Sequence, residues 1–252
     1  MQQSVNKDIV KKRFVKSIET YRENAVVQES IALKLINNIR EFLPNKINSV
    51  FEIGSGTGIL TEKILKNFEI NQYYCNDIVE DYDLVLKNLS SSIRFIAGDI
   101  EKIEFPKNLD VIISSSTFQW LNDFEKFSLD IKKSLNHKDS LIAFSSFGTQ
   151  NFNEIRTIEK EGLNYLSKDE YKNILEENYE ILYSFEEIKE MYFSNPTNIL
   201  KHFKLTGVNG TSRKFWTKKN LKEFSDQYIN LFSSEKGVRL TYNPIYFIVK
   251  PK

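Results

Sequence analysis

Gly54, Gly56 and Gly58 stand at alternate positions in FEIGSGTGIL (residues 51–60), just after an apolar run. Glycines spaced this way let backbone approach a ligand closely at a turn between a strand and a helix. Two more apolar runs close on an acidic residue, Asp77 in QYYCND and Asp99 in FIAGDIE, and Glu52 lies inside the first. Carboxylates accept from hydroxyls and amines, so this set is suited to holding a ligand. Few residues are suited to moving protons. The only histidines are His137 and His202 and the only cysteine is Cys75. That count excludes a His-rich metal site and an internal disulfide, and no metal is expected. No G-x-S-x-G elbow is present, so a Ser-His-Asp hydrolase is not expected.

The glycine turn is compatible with several ligands. A phosphate-binding loop closes with Gly-Lys-Ser/Thr, where Ile59 and Leu60 stand. A dinucleotide fingerprint needs a third small residue where Ile59 stands, while Gly58 comes one position early; that reading is weakened but stays open.

The elements that must position these residues follow from hydrophobic periodicity. The first forty residues read as one helix, with Ile9, Phe14, Ile18, Tyr21, Ala25, Gln28, Ile31 and Leu35 near one face, until LPNKINS breaks it. VFEIG reads as a buried strand and ILTEKILKNF as a helix. Then come QYYCND as strand, VEDYDLVLKNL as helix, IRFIAGD and LDVIISSS as strands, FEKFSLDIKKSL as helix and SLIAFSSFG as strand. This alternation predicts a parallel sheet with helices on both faces. Past residue 150, NFNEIRTIEKEGLNYL reads as helix and YEILYSFEEIKEMYF as one long strand. NPTNILKHFKLTG is a helix stopped by Gly207, TKKNLKEFSDQYINLF a helix capped by Thr217, and LTYNPIYFIVKP one closing strand.

EIGSGTG resembles the first motif of class I methyltransferases, and the other strand ends agree with it. The resemblance implies S-adenosylmethionine as cofactor and a Rossmann-like, seven-stranded, mostly parallel α/β sheet. It implies Glu52 on the cofactor's amino group, the turn of Gly54, Ser55, Gly56 and Gly58 against its backbone, and Asp77 beside Ile78 on the ribose hydroxyls. Asp99 and Ile100 are implied at the adenine, and Ser114 and Ser115 at the methionine end.

More of the chain is similar to one branch, the malonyl-acyl-carrier-protein O-methyltransferases of biotin synthesis. The stretches are FVKSIETYRENAVVQESIALKL, STFQW, FSSFGTQNFNEI, LKHFKLTGVNG and GVRLTYNPIYFIV. The sequence departs from that family at Ser55, where Cys is common, and at NHKDS, which replaces a Pro-Gly-Gly turn. The resemblance implies an enzyme that methylates the free carboxylate of a malonyl thioester on acyl carrier protein, so that the ester end can pass as a primer in pimeloyl synthesis. With no secretory apolar core at the N-terminus, a cytoplasmic location is expected, and the enzyme is expected to be a monomer. No Gly/Pro/Ser-rich linker separates the halves, so one domain is expected, with an N-terminal helical lid (1–45), a cofactor-binding core (46–150) and a substrate cap with the last two strands (151–252).

An ionised carboxylate attacking an activated methyl needs no general base, which suits a chain poor in histidine. Tyr21 and Gln28 are two helical turns apart and could close together over the methionine end, with Gln28 on the cofactor. Tyr21 and Gln119 are the candidates for the wall beside the methyl group, and Trp120 is expected in the core. Tyr21, His202 and Arg213 are the candidate partners of the substrate carboxylate.

A net charge of +1 gives the whole chain no pull toward nucleic acid or anionic membrane. Lys201, Lys204, Arg213, Lys214, Lys218 and Lys219 nevertheless fall in a stretch without Asp or Glu. Such a patch would steer an acidic carrier protein. No apolar run approaches the roughly 18 residues that span a bilayer, so no membrane partner is expected. Alternatives are a methyltransferase for a free small acid, a non-catalytic cofactor-binding scaffold, and an RNA methyltransferase using the basic stretch.

Overall fold

The computed structural model describes residues 4–208 and 217–252. In chain order it contains α1 (Lys7–Asn24), α2 (Val26–Ile39), β1 (Lys46–Ile53), α3 (Ile59–Asn67), β2 (Glu69–Asp77), α4 (Tyr82–Leu89), β3 (Ile93–Ala97), β4 (Val111–Ser115), a 3-10 turn (Phe118–Trp120), α5 (Phe124–Lys132) and β5 (Leu141–Phe147). There follow α6 (Asn153–Glu159), α7 (Lys168–Glu176), β6 (Tyr179–Glu186), β7 (Lys189–Phe193), α8 (Pro196–Thr206), α9 (Lys218–Phe232), β8 (Ser233–Ser234), β9 (Gly237–Tyr242) and β10 (Pro244–Pro251).

Seven strands form the main sheet in the order β3-β2-β1-β4-β5-β10-β6. Only β10 runs antiparallel to its neighbours. The order reverses between β1 and β4, and ligands of open α/β sheets bind outside strand C-termini at such a switch point. One face is covered through Ile31, Leu35, Ile36, Leu60 and Ile64. On the other, Phe118, Phe124, Phe144, Tyr171 and Phe247 pack as an aromatic cluster.

A second sheet, β7-β9-β8, forms with α8 and α9 a cap inserted between β6 and β10. The two long strands expected near the C-terminus are therefore four. The chain leaves the main sheet after Glu186 and returns at Pro244. Asn243 joins the two crossings: its Nδ2 donates to Glu186 Oε1 (3.0 Å) and Glu187 O (3.2 Å), and its Oδ1 accepts from Gln150 N (2.9 Å).

Two helix expectations also change. The N-terminal helix breaks at Ala25, whose ψ of 41° turns the chain between α1 and α2. Seven residues of α2 are buried, against Val10 and Ser17 in α1, so α2 belongs to the sheet's flank and α1 lies over the top. The helix expected over 151–166 ends at Glu159, and a separate one, α7, starts at a Ser167–Glu170 capping box.

Helix α1 is pinned at both ends of the cleft it crosses. Lys7 pairs with Glu101 (2.8 Å) and Asp99 (3.5 Å), Lys11 with Glu80 (3.4 Å), and Arg22 with Glu62. It also packs on the cap, where Thr20 Oγ1 donates to Leu205 O (2.9 Å).

Candidate functional site

The three glycines do three different jobs. A Cβ on Gly54 would lie 2.1 Å from Thr117 Oγ1, so Gly54 is needed for β1 to pass the loop after β4. Gly58 opens α3 at a φ of +81°, and a Cβ there would lie 2.5 Å from Leu89 of α4. It holds the helix in place and does not line the cleft, contrary to expectation. Gly56 has a φ of +51° and nothing within 4 Å of its Cβ direction; it faces open space.

That space is a cleft of about 700 Å³ over the sheet's switch point. Gly54, Gly56, Asp77, Ile78, Asp99, Ile100 and Ser115 line it, as the sequence suggests, with Tyr21 reaching in from α1. An inner cavity of about 360 Å³ adjoins it and takes in Gln28, Glu52 and Ser55. Tyr21, Gly54, Gly56, Ser115 and Ser116 line both spaces and so form the neck between them.

Two carboxylates give the site its character. Asp77 closes β2 at 9 % exposure; its oxygens accept from Gly56 N and Val79 N, each at 2.9 Å. Burial outweighs these donors and pushes it up to about 6. Glu52, at 1 % exposure, accepts on Oε2 from Tyr73 (2.5 Å) and Thr61 (2.8 Å), and burial pushes it up to about 7. Both are held by backbone amides, hydroxyls and, for Glu52, the Cys75 thiol, and not by cations. A ligand that brings hydroxyls and an ammonium group would complete them.

Further acceptors await partners. Glu52 Oε1, Gln28 Oε1, Thr57 Oγ1 and Ser116 Oγ are buried side-chain atoms without a hydrogen bond. All four residues line the inner cavity. Unsatisfied buried polar atoms are few in folded proteins, and four on one wall mark a ligand site.

Several expected residues lie elsewhere. Ser114 turns into the sheet, where its hydroxyl donates to Ile53 O (2.9 Å). Ser116 and Thr117 take its place in the lining, Ser116 with a left-handed φ of 57°. Gln119 is not beside the main cleft but faces a different cavity near Phe124 and Tyr171, while Trp120 is buried as expected and also lines the main cleft, edge-on to Phe14 (5.9 Å). Phe118 between them is anchored on Phe144 (4.8 Å), which fixes the turn. His202 is 7 % exposed inside the cap, with its Nε2 2.6 Å from the Tyr242 hydroxyl. Burial pushes it down to about 4, so it is neutral and supplies no cation to a carboxylate. Arg213 and Lys214 lie outside the described residues. Lys201 and Lys204 on α8, and Lys218 and Lys219 at the start of α9, are exposed.

Sequence reasoning missed Lys7, Phe14, Tyr82, Ser116 and Thr117, all on the cleft wall. The run of hydroxyl residues after β4 was a visible signal for the last two. Phe14 shares its helix face with Tyr21, which was the signal for it, while for Lys7 and Tyr82 nothing local indicates which face meets the cleft.

The methyltransferase-domain family model matches residues 51–143. The chain is 35 % identical to the malonyl-[acyl-carrier protein] O-methyltransferase of Bacteroides thetaiotaomicron over 98 % of this chain and 99 % of that one. It is 36 % identical to the protein of the same name from Chlorobium luteolum, over 98 % and 96 %. Among solved structures, coclaurine N-methyltransferase bound to N-methylheliamine and SAH superposes with a TM-score of 0.53 at 12 % identity, over 87 % of this chain and 70 % of that one. The [4+2]-cyclase SpnF does so with 0.54 at 12 %, over 86 % and 80 %. The fold is thus common to proteins of different chemistry.

Proposed function

The chain belongs to the malonyl-[acyl-carrier protein] O-methyltransferase family, and on that premise we propose that it methylates the free carboxylate of a malonyl thioester held by acyl carrier protein, with S-adenosylmethionine as donor. The product's neutral ester end would then serve as the primer that the family resemblance implies for biotin synthesis. The cofactor's chemical groups suit the donor set described above. Asp77 would hold the ribose hydroxyls and the free oxygen of Glu52 the amino group, with Asp99 and Ile100 at the adenine. When bound, S-adenosylmethionine supplies a methyl group already activated on a sulfonium sulfur.

The observation that carries this reading is the neck. Its residues are Tyr21, two glycines and two serines, without histidine, carboxylate or lysine. Burial holds the Tyr21 hydroxyl far above its ordinary range, so it donates and does not act as a base. Such a wall can orient an acceptor and exclude water but does not take its proton. It suits a nucleophile that arrives ionised. We assign the lid to α1, the cofactor core to 46–150, and acceptor selection to the cap, in a monomeric enzyme.

Incubation with labelled S-adenosylmethionine and malonyl-carrier protein should give a singly methylated acyl group by mass spectrometry. Free malonate should be a poor substitute; equal turnover of both would overturn the carrier-protein assignment. At saturating cofactor the rate should stay nearly flat from pH 6.5 to 8.5, because a malonyl carboxylate is ionised throughout. A steep rise inside that window would indicate a hydroxyl, thiol or amine acceptor.

The exposed lysines of α8 and α9 suit an acidic partner. Reversing Lys201, Lys204 and Lys218 to Glu should raise KM for malonyl-carrier protein about tenfold, mainly through slower association. Affinity for the cofactor and turnover of a short malonyl thioester should change by less than about twofold, since screening removes such fields beyond about 8–10 Å. Unchanged carrier-protein kinetics would reduce the patch to a solvated face.

A further inference from the structure

The two oxygens of Glu52 have different surroundings. Parallel pairing of β1 with β2 sets Glu52 beside Cys75. Tyr73, Cys75 and Asp77 alternate along β2 and so share a face. Thr61 reaches the same face from the first turn of α3. Tyr73 Oη and Thr61 Oγ1 both donate to Oε2, at 2.5 and 2.8 Å, with Cys75 Sγ 3.9 Å from that oxygen. Oε1 is buried and has no partner. One oxygen is saturated by the protein and the other is left to the cavity.

We propose that Tyr73 and Thr61 are positioning residues for cofactor binding: by donating two hydroxyls to Oε2 they fix the Glu52 carboxylate and leave Oε1 as its one acceptor for the ligand's ammonium group. The proposal rests on the reading that Glu52 takes the amino group of the cofactor. The Cys75 thiol is a third, more distant donor to the same oxygen, at 3.9 Å. Gln28 from α2 and Tyr21 from α1 line the same cavity but leave Oε1 of the carboxylate without a partner. Tyr73 itself stays protonated, since burial and the Glu52 charge push its hydroxyl well above the ordinary range. It is therefore a dependable donor.

The arrangement has a pH signature. Glu52 is pushed up to about 7 by burial and by the charge of Asp77, while the hydrogen bonds from Tyr73, Thr61 and Cys75 pull it down. A protonated carboxyl binds an ammonium group poorly, so affinity should rise with pH through this region. Removing a hydroxyl that favours the charged form moves the rise to higher pH.

The test is calorimetric binding of S-adenosylhomocysteine, which carries the same amino group, from pH 5.5 to 8. It compares the wild type with Glu52→Gln, Tyr73→Phe and Thr61→Val. Wild-type affinity should rise with a component centred near the Glu52 value and a lower one from Asp77. Glu52→Gln should lose the upper component only. Tyr73→Phe and Thr61→Val should each move it upward by about one pH unit and weaken binding about fivefold at pH 7, with a smaller loss at pH 8. Thr61→Val keeps the question decidable if Tyr73→Phe does not fold. An upper component unmoved in both hydroxyl variants, or an equal loss at every pH, would overturn the positioning role while leaving Glu52 in place. An unaltered Glu52→Gln profile would remove the premise itself.

Discussion

Gly56→Val is expected to weaken S-adenosylmethionine binding by at least about a hundredfold while the protein still folds. A Cβ at this position meets no protein atom within 4 Å, so the side chain would project into the cleft and occupy the space left for a ligand. The left-handed backbone, at a φ of +51°, adds strain of about 1–2 kcal/mol for an L side chain. That strain would lower the melting temperature by a few degrees, on the order expected for a chain of this size. The neighbouring glycine is the control. Gly58→Val should destabilise the fold directly, because its Cβ would press on Leu89 and Leu86 and hold α3 away from α4. Calorimetry and thermal melting of the two variants separate the roles. A Gly56→Val protein that binds within about fivefold of wild type would show that the cleft is not where the cofactor lies.

Asp77→Ala should weaken cofactor binding by about 2–4 kcal/mol, roughly 30- to 1000-fold, through loss of charge-assisted bonds to the ribose hydroxyls. Part of that loss is indirect, since the carboxylate also holds Gly56 N and Val79 N and so shapes the glycine turn. Its effect on the free protein has the opposite sign. Burial raises the folded-state value of Asp77 to about 6, above the ordinary 3.8. The folded chain therefore binds the proton more tightly than the unfolded one. Its contribution is favourable at low pH and is lost as pH rises through about 6. The ligand-free wild type should lose stability between pH 4 and 7 more steeply than Asp77→Ala, read by thermal melting in a pH series. Unchanged cofactor affinity in Asp77→Ala would reject the ribose assignment.

The parts of the site that could be read in the sequence are those set by local rules. Gly54, Gly56, Asp77 and Asp99 fall at ends of parallel strands, where spacing along the chain fixes their place. The residues that could not be read depend on packing between distant elements. Trp120 faces the cleft and Gln119 does not, because Phe118 is anchored among the aromatic rings under the sheet. His202 looks like a candidate ligand until burial beside Tyr242 makes it a neutral core residue. Ala25 breaks a helix without a glycine or proline to announce it. Two local signals were present in the sequence but went unread: the Ser167–Glu170 box that starts α7, and the Asn-Pro pair at 243–244, where one closing strand was expected and β9 and β10 are found.

The Asn243 joint brings both ends of the cap to one place. Its incoming and outgoing strands meet at one amide side chain, so the inserted segment from 188 to 242 enters and leaves through a single doorway. An insertion whose ends already lie together adds little closure entropy to its host. Another segment with the same end spacing could be grafted there if it also replaced the core contacts that Ile199, Phe203, Phe224 and Tyr242 share with the main sheet. Such modularity would let acceptor choice evolve, or be engineered, separately from the machinery that delivers the methyl group.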